Sequence, residues 1–197
     1  MADSSPGRSD RRARARSVAR AGILESARRV AAREGARNLS LRGVAAEAGY
    51  APAALYGYFA SKDELLLALA AEDLGALSRA MREAAASDPN GKLMAAASVA
   101  LALLRDNETM AAAQSALPAA SCGSGAARLF NGRMIAALKV LSDAIGQPAS
   151  DRDNQRDVVL LAAALSGLAL LSRSGRLEAL GFGTEEVLKR LGERFSP

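Results

Sequence analysis

Between Gly49 and Leu66 the chain reads GYAPAALYGYFASKDELL, and this stretch holds Tyr50, Tyr56, Tyr58 and Phe59, four of only seven aromatic residues in 197. A hydrophobic core could place rings anywhere, so crowding them here points to a task at a surface. Upstream, Met1 to Tyr50 carries eleven Arg and no Lys against five acids, a local balance of +6 in a chain whose total is +5. A basic end on an otherwise near-neutral protein suits an anionic polymer or an anionic membrane surface. Bond-making chemistry has little to work with. Histidine is absent, which removes Ser-His-Asp and Cys-His nucleophile systems and zinc sites of the Cys/His type. Neither a GxxxxGK[ST] phosphate loop nor a GxGxxG turn after a strand is present. No catalytic residue, metal site or cofactor is expected.

The elements that must position these residues are helical. Alanine and other strong helix formers dominate, β-branched residues are few, and no strand-period run occurs, so the fold class expected is all-α. Residues 1–16 are Ser, Pro, Gly, Asp and Arg with too little apolar surface to offset ordering, and read as a mobile basic arm. Ile23, Leu24, Ala27, Val30 and Ala31 then form one helical stripe that Gly35 ends. Ser40 caps a short helix to Ala48, Gly49 allows a left-handed turn, and Pro52 opens a second short helix. Ser61-Lys62-Asp63-Glu64 is a capping box that starts a long helix toward Ala86. The turn SDPNG, Ser87 to Gly91, looks like a domain boundary. Further helices are expected over about Lys92–Arg105, Glu108–Leu117, Ala126–Ile145, Asp151–Ser174 and Thr184–Arg194, with PAASCGSG as a loop.

Ala45, Gly49 and Leu55 have the spacing of a helix-turn-helix: a small residue where two helices touch, a glycine in the turn, an aliphatic anchor inside. With the caps, Pro52 and the aromatic cluster, residues from about Ala21 to Leu69 resemble the TetR family of bacterial transcriptional regulators. The stretch SGLALLSRSGRLEALGFGTEEVLKRL is similar to the last two helices of one large branch of that family. The resemblance implies a homodimer that binds palindromic double-stranded operator DNA, and a C-terminal helical domain that dimerises and holds a small-molecule effector. The domains expected are a disordered basic arm at 1–16, a helix-turn-helix DNA-binding domain at 17–66 and an effector-binding and dimerisation domain at 67–197.

By the same resemblance Ser40, Arg42 and Lys62 match positions that touch DNA, with a guanidinium at 42 able to reach phosphate or grip guanine. Leu55 and Phe59 would face inward, while Ala53, Ala54, Tyr56 and Tyr58 would face the duplex; for Tyr50, packing in the turn is the expected role. Ala51 and Ala54 stand where Ser and Thr are common, so base reading should be poor in hydrogen bonds. Arg11, Arg12, Arg14 and Arg16 of the arm would reach the flanking minor groove.

In the C-terminal half, Leu160, Leu161, Leu165, Leu168 and Leu171, with Ala163 and Gly167 four apart, suggest a helix that pairs with Val187, Leu188 and Leu191 in a four-helix dimer seam. Met94, Met110, Phe130 and Met134 are candidates to line an apolar effector cavity, with Gln114, Arg128 or Asn131 orienting the ligand. The function expected is a repressor that leaves its operator when a small apolar effector tilts the Ser61–Ala86 helix; an activator or an effector-independent regulator fits the same residues. An enzyme or a protein-docking module with a basic tail is the reading from another class, and a membrane-surface role for the arm a third. The N-terminus lacks an apolar signal region and the run from Val158 to Leu171 is short for a membrane span, so a cytoplasmic protein without membrane contact is expected. Cys122 excludes an internal disulfide and, with no base beside it, reads as a bystander thiol.

Overall fold

The computed structural model describes residues 6–107, 109, 112, 125–148 and 150–195, and all regular structure among them is helical. The first helix, α1, is Pro6–Glu34. It buries Ile23, Leu24, Ala27 and Val30, and ends at Gly35, whose φ of 83° continues the chain in a left-handed turn. Residues 6–16, expected as part of a mobile arm, are instead the opening turns of this helix. Arg and Ala are strong helix formers, and extending a helix that tertiary packing already holds avoids the cost of nucleation.

Two short helices follow. In α2, Leu41–Ala48, the Ser40 hydroxyl accepts from the Gly43 amide at 3.1 Å, and Gly49 closes the helix at φ 72°. Pro52 opens α3, Pro52–Leu55, which is only four residues long. Beyond it the amides of Gly57, Tyr58 and Phe59 donate to Ala54 and Leu55 carbonyls, so the chain tightens into a turn. Leu55 and Phe59, at 0% and 1% exposure, anchor this turn in a core shared with Ile23, Val44 and Leu65.

The long helix α4, Lys62–Ser87, starts at the expected box: Ser61 Oγ accepts from the Glu64 amide, and Glu64 Oε2 accepts from the Ala60 amide at 2.7 Å. Every residue from Leu65 to Ala71 is buried. A helix apolar all round belongs between two bodies of protein. It packs on α1, on α5, Lys92–Asp106, and on α6, Gly125–Ile145. The expected 66/67 division falls inside α4.

The last three helices are α7, Arg152–Arg173, the four-residue α8, Arg176–Ala179, which the pattern did not foretell, and α9, Thr184–Phe195. α7 packs on α5, α6, α8 and α9. Buried Asn154 ties its start to the preceding connection, donating to Ser142 Oγ and to the Gln147 and Pro148 carbonyls at 3.0–3.1 Å. At 22 residues, α7 is longer than its apolar run and is long and apolar enough to cross a membrane by length and composition alone; here Leu161, Leu165 and Leu168 are buried in the chain's own core. The expected helix Glu108–Leu117 falls mostly, and the PAASCGSG loop with Cys122 almost wholly, outside the described residues.

Candidate nucleic-acid interface and apolar cavity

The turn between α2 and α3 presents one outer face. Arg42 stands exposed on the first turn of α2, and Ala53, Ala54 and Tyr56 stand exposed on and just after α3. Tyr56 is 59% exposed, an unusual position for so large a ring unless it meets something. Ser40 is also exposed, although its hydroxyl already accepts from the backbone as a cap.

Two residues expected on this face are turned to other work. Tyr58 is half-buried rather than free to meet a duplex: its ring lies edge-on to Tyr50 with centroids 6.3 Å apart, and the Arg16 guanidinium covers it at 5.0 Å. α3 is too short to carry Tyr58 on its outer side, and the turn after Leu55 folds the ring back. Lys62 is half-buried, with its ammonium on the Arg37 carbonyl at 2.5 Å. Arg16 also donates to the Gly57 carbonyl at 2.5 Å, and Arg20 lies over the Phe59 ring at 4.9 Å. The crowding of aromatics thus serves two ends. Tyr56 is offered outward, while Tyr50, Tyr58 and Phe59 stack the turn against α1.

Glu47 fixes α2 on α1, accepting from Arg29 Nε at 2.8 Å and Arg33 Nη1 at 3.3 Å. These hydrogen bonds, that from Arg29 first, hold the Glu47 carboxyl below its ordinary range.

Asp73, in the middle of α4, is 8% exposed. One of its oxygens pairs with Arg28 of α1, and the other accepts from Asn107 Nδ2 at 2.8 Å and from Thr109 Oγ1 at 2.5 Å. Arg28 also meets Glu72 at 3.1 Å. Sequence reading passed over this junction, though a signal was there: one aspartate inside a helix otherwise Leu and Ala on that side.

A cavity of about 430 Å³ lies between α4, α5, α6 and α7, walled by Leu74, Leu77 and Met81 of α4, Leu104 of α5, Phe130 and Met134 of α6 and Ser166 of α7. Of the candidates for an effector site, Phe130 and Met134 line it. Met94 does not: it packs against α9, where a Cβ on Gly192 would overlap its thioether. Arg128 and Asn131 are exposed on α6 and are not among the lining side chains. Met110 and Gln114 lie outside the described residues. The cavity is therefore apolar, with the Ser166 hydroxyl its main polar feature, and that hydroxyl donates to the Ala162 carbonyl.

The expected dimer seam divides. Leu161, Leu165, Leu168 and Leu188 are buried within the chain itself, and Val187 and Leu191 are half-buried against the same core, because α7 and α9 pack on α5 and on each other. Gly167 and Leu171 stay on the outer side with Leu160 and Leu170, the last two 59% and 57% exposed, whereas Val159 and Ala163 are exposed at the rim of the cavity that they help to line. The spacing of 160, 163, 167, 170 and 171 makes this one helix face.

The described residues, all of whose regular structure is helical, with a capped helix-turn-helix at one end and a helical second domain built on α4, have the fold of DNA-binding transcriptional regulators. Residues 23–69 match the family model described as "Bacterial regulatory proteins, tetR family", so this amino-terminal domain is similar to the DNA-binding domain of that family. Solved structures share the fold over nearly the whole chain. A tetR-family regulatory protein from Rhodococcus RHA1 is 19% identical with a TM-score of 0.64, covering 90% of this chain and 97% of its own. A TetR-family transcriptional regulator from Streptomyces coelicolor is 18% identical with a TM-score of 0.65, covering 91% and 94%. The regulator FadR of Bacillus subtilis, solved in complex with stearoyl-CoA, is 17% identical with a TM-score of 0.62, covering 88% and 96%. No curated protein matches the chain.

Proposed function

We propose that the chain is a dimeric repressor that occupies a palindromic operator and leaves it when an apolar effector fills the cavity between α4 and α7. One observation carries this reading: α4 is a single helix that starts directly after the turn carrying Tyr56, with Glu64 accepting from the Ala60 amide, and whose later turns, through Leu74, Leu77 and Met81, wall the cavity. An occupant that favours one setting of α4 changes the spacing of the two recognition faces in a dimer, which must meet major grooves ~34 Å apart.

The exposed stripe Leu160, Gly167 and Leu171, with Ala163 at its border with the cavity, is the surface we assign to the twofold contact, since small residues at 163 and 167 allow close approach. The lining chemistry favours a hydrocarbon effector, and an acyl chain such as that of the stearoyl-CoA bound by Bacillus subtilis FadR is the first class to try. Arg42 and Tyr56 contact the duplex, and Ser40 lies where phosphate passes.

The test begins with selection of duplexes from a random pool by the wild-type protein. Arg42→Ala and Tyr56→Ala should each weaken binding to the selected duplex by about 1–3 kcal/mol. Acyl-CoA esters of graded chain length should then release it. Retention of full affinity by both variants would remove the assigned face, and a complex indifferent to every apolar compound tried would remove the release mechanism.

A further inference from the structure

The basic segment at the amino terminus is a helix, and this changes what it can touch. From Gly7 to Val18 every residue of α1 is exposed, so this part of the helix packs on nothing along most of its length. An α-helix is ~10–12 Å across with its side chains, whereas the minor groove is ~6 Å wide. While helical, the segment cannot itself lie in the minor groove as an extended arm would, so its backbone stays outside the groove beside the phosphates.

Its orientation is fixed at one end. Arg16 donates to the Gly57 carbonyl and covers the Tyr58 ring, and Arg20 covers the Phe59 ring, so the face of α1 carrying these two residues is docked on the turn that follows α3. Gly57 is adjacent to the outward-facing Tyr56. At ~100° per residue, Arg12 and Arg8 lie about 40° and 80° from Arg16 along the same side of the helix, while Arg14 lies about 160° away. The row Arg12–Arg8 therefore continues outward from the edge of the recognition face, and Arg8 stands ~12 Å beyond Arg16 at 1.5 Å per residue.

The charge pattern asks for an anion. The first turn of α1 contains no acid, and Arg8, Arg11 and Arg12 crowd the positive end of the helix dipole, where cations are unfavourable. A run of phosphates beside the recognition face would offset both the dipole and the mutual repulsion of the arginines.

We propose that the helical extension of α1 is a phosphate-tracking rod: Arg8 and Arg12 bind the DNA backbone flanking the bases met by Tyr56, while Arg16 is a positioning residue that holds the turn after α3 through Tyr58 and Gly57. The inference rests on the DNA-binding reading, and it assigns different effects to arginines of identical charge.

The experiment measures binding by fluorescence anisotropy over a salt series, with full-length protein and a duplex selected by the wild type, alongside a scrambled duplex. Circular dichroism confirms that each variant is folded. Each phosphate contact contributes about 0.9 to the slope of log K against log salt, so Arg8→Ala/Arg12→Ala should lower the slope by about 1.8 per bound protomer and weaken both duplexes alike. Arg14→Ala should leave the slope nearly unchanged. Arg16→Ala should weaken the selected duplex roughly threefold to tenfold more than the scrambled one, and Arg16→Lys, which keeps the charge but loses the flat fork, should restore only part of the preference. An unaltered slope in the double variant, or an equal change in Arg14→Ala, would overturn the rod; an Arg16→Ala variant with full discrimination would overturn the positioning role. A wild-type protein that enriches no duplex would remove the DNA-binding reading itself, and this proposal with it.

Discussion

The guanidinium of Arg28 in α1 donates to the buried carboxylate of Asp73 in α4, one residue before Leu74 enters the wall of the cavity. Through its other oxygen Asp73 also collects Asn107 and Thr109 at the end of α5 and just beyond, so one carboxylate gathers groups from both domains. Asp73→Ala leaves a half-buried cation and two polar groups without their acceptor. A loss of about 2–4 kcal/mol in urea unfolding is expected, and Asp73→Asn, which keeps an acceptor but not the charge, should lose less.

Acid should loosen α2 before it loosens the rest. The Glu47 carboxyl is held below its ordinary value of 4.5, first by the hydrogen bond from Arg29 and then by that from Arg33. A carboxylate lowered on folding contributes stability that is fully present above its unfolded value and is lost as pH falls through its folded value. Glu47→Gln should therefore be less stable than wild type at neutral pH, and thermal melts of the two should converge as pH drops through the carboxylate range. Curves that stay parallel throughout would refute this.

Gly49 has φ 72°, and nothing lies within 4 Å of where its Cβ would stand. The cost of Gly49→Ala is thus conformational alone, about 1–2 kcal/mol in equilibrium unfolding, and Gly49→Asn should cost less because asparagine tolerates the left-handed region better.

The outer stripe of α7 makes its own prediction. Leu160→Glu places a charge on the surface assigned to the twofold contact while leaving buried Leu161 and Leu165 untouched. Analytical ultracentrifugation should show the dimer weakened about thirtyfold or more, with binding to a palindromic duplex reduced in step. A variant as dimeric as wild type would place the contact elsewhere.

Filling the cavity tests whether it holds a ligand. Leu104→Trp on the α5 wall reduces the open volume without touching the recognition face. It should abolish the thermal shift given by apolar effectors while leaving affinity for the selected duplex within about twofold of wild type.

Much of this molecule was legible because its punctuation is local. Ser40, Gly49, Pro52 and Ser61 act through their own backbone neighbourhoods, and each begins or ends a helix where expected. What depended on neighbours distant in sequence was not legible. The leucines of α7 show a stripe but not which protein surface covers it, and Leu161, Leu165 and Leu168 went to the chain's own core. Met94 met Gly192, almost a hundred residues away, rather than a ligand cavity. The composition of residues 6–16 suggested a free tail because they bury nothing, yet they inherit helix from the turns behind them. A helix running on through Phe59 would turn Tyr58 outward; four residues of helix and a tight turn aim it at Arg16 instead.

If α4 tilts as the proposed release requires, its unbroken course would make it a lever with Asp73 as fulcrum. Lys62 lies eleven residues from that pivot, ~16 Å along the axis, and Met81 lies eight residues to the other side, ~12 Å away. A swing of about 5° carries the Lys62 end some ~1.4 Å, close to half the length of a hydrogen bond. At that scale a base contact would be lost while every helix keeps its own fold, so under the proposed release a molecule wedged beside Met81 would need to shift α4 by only about 1 Å there to disengage the far end.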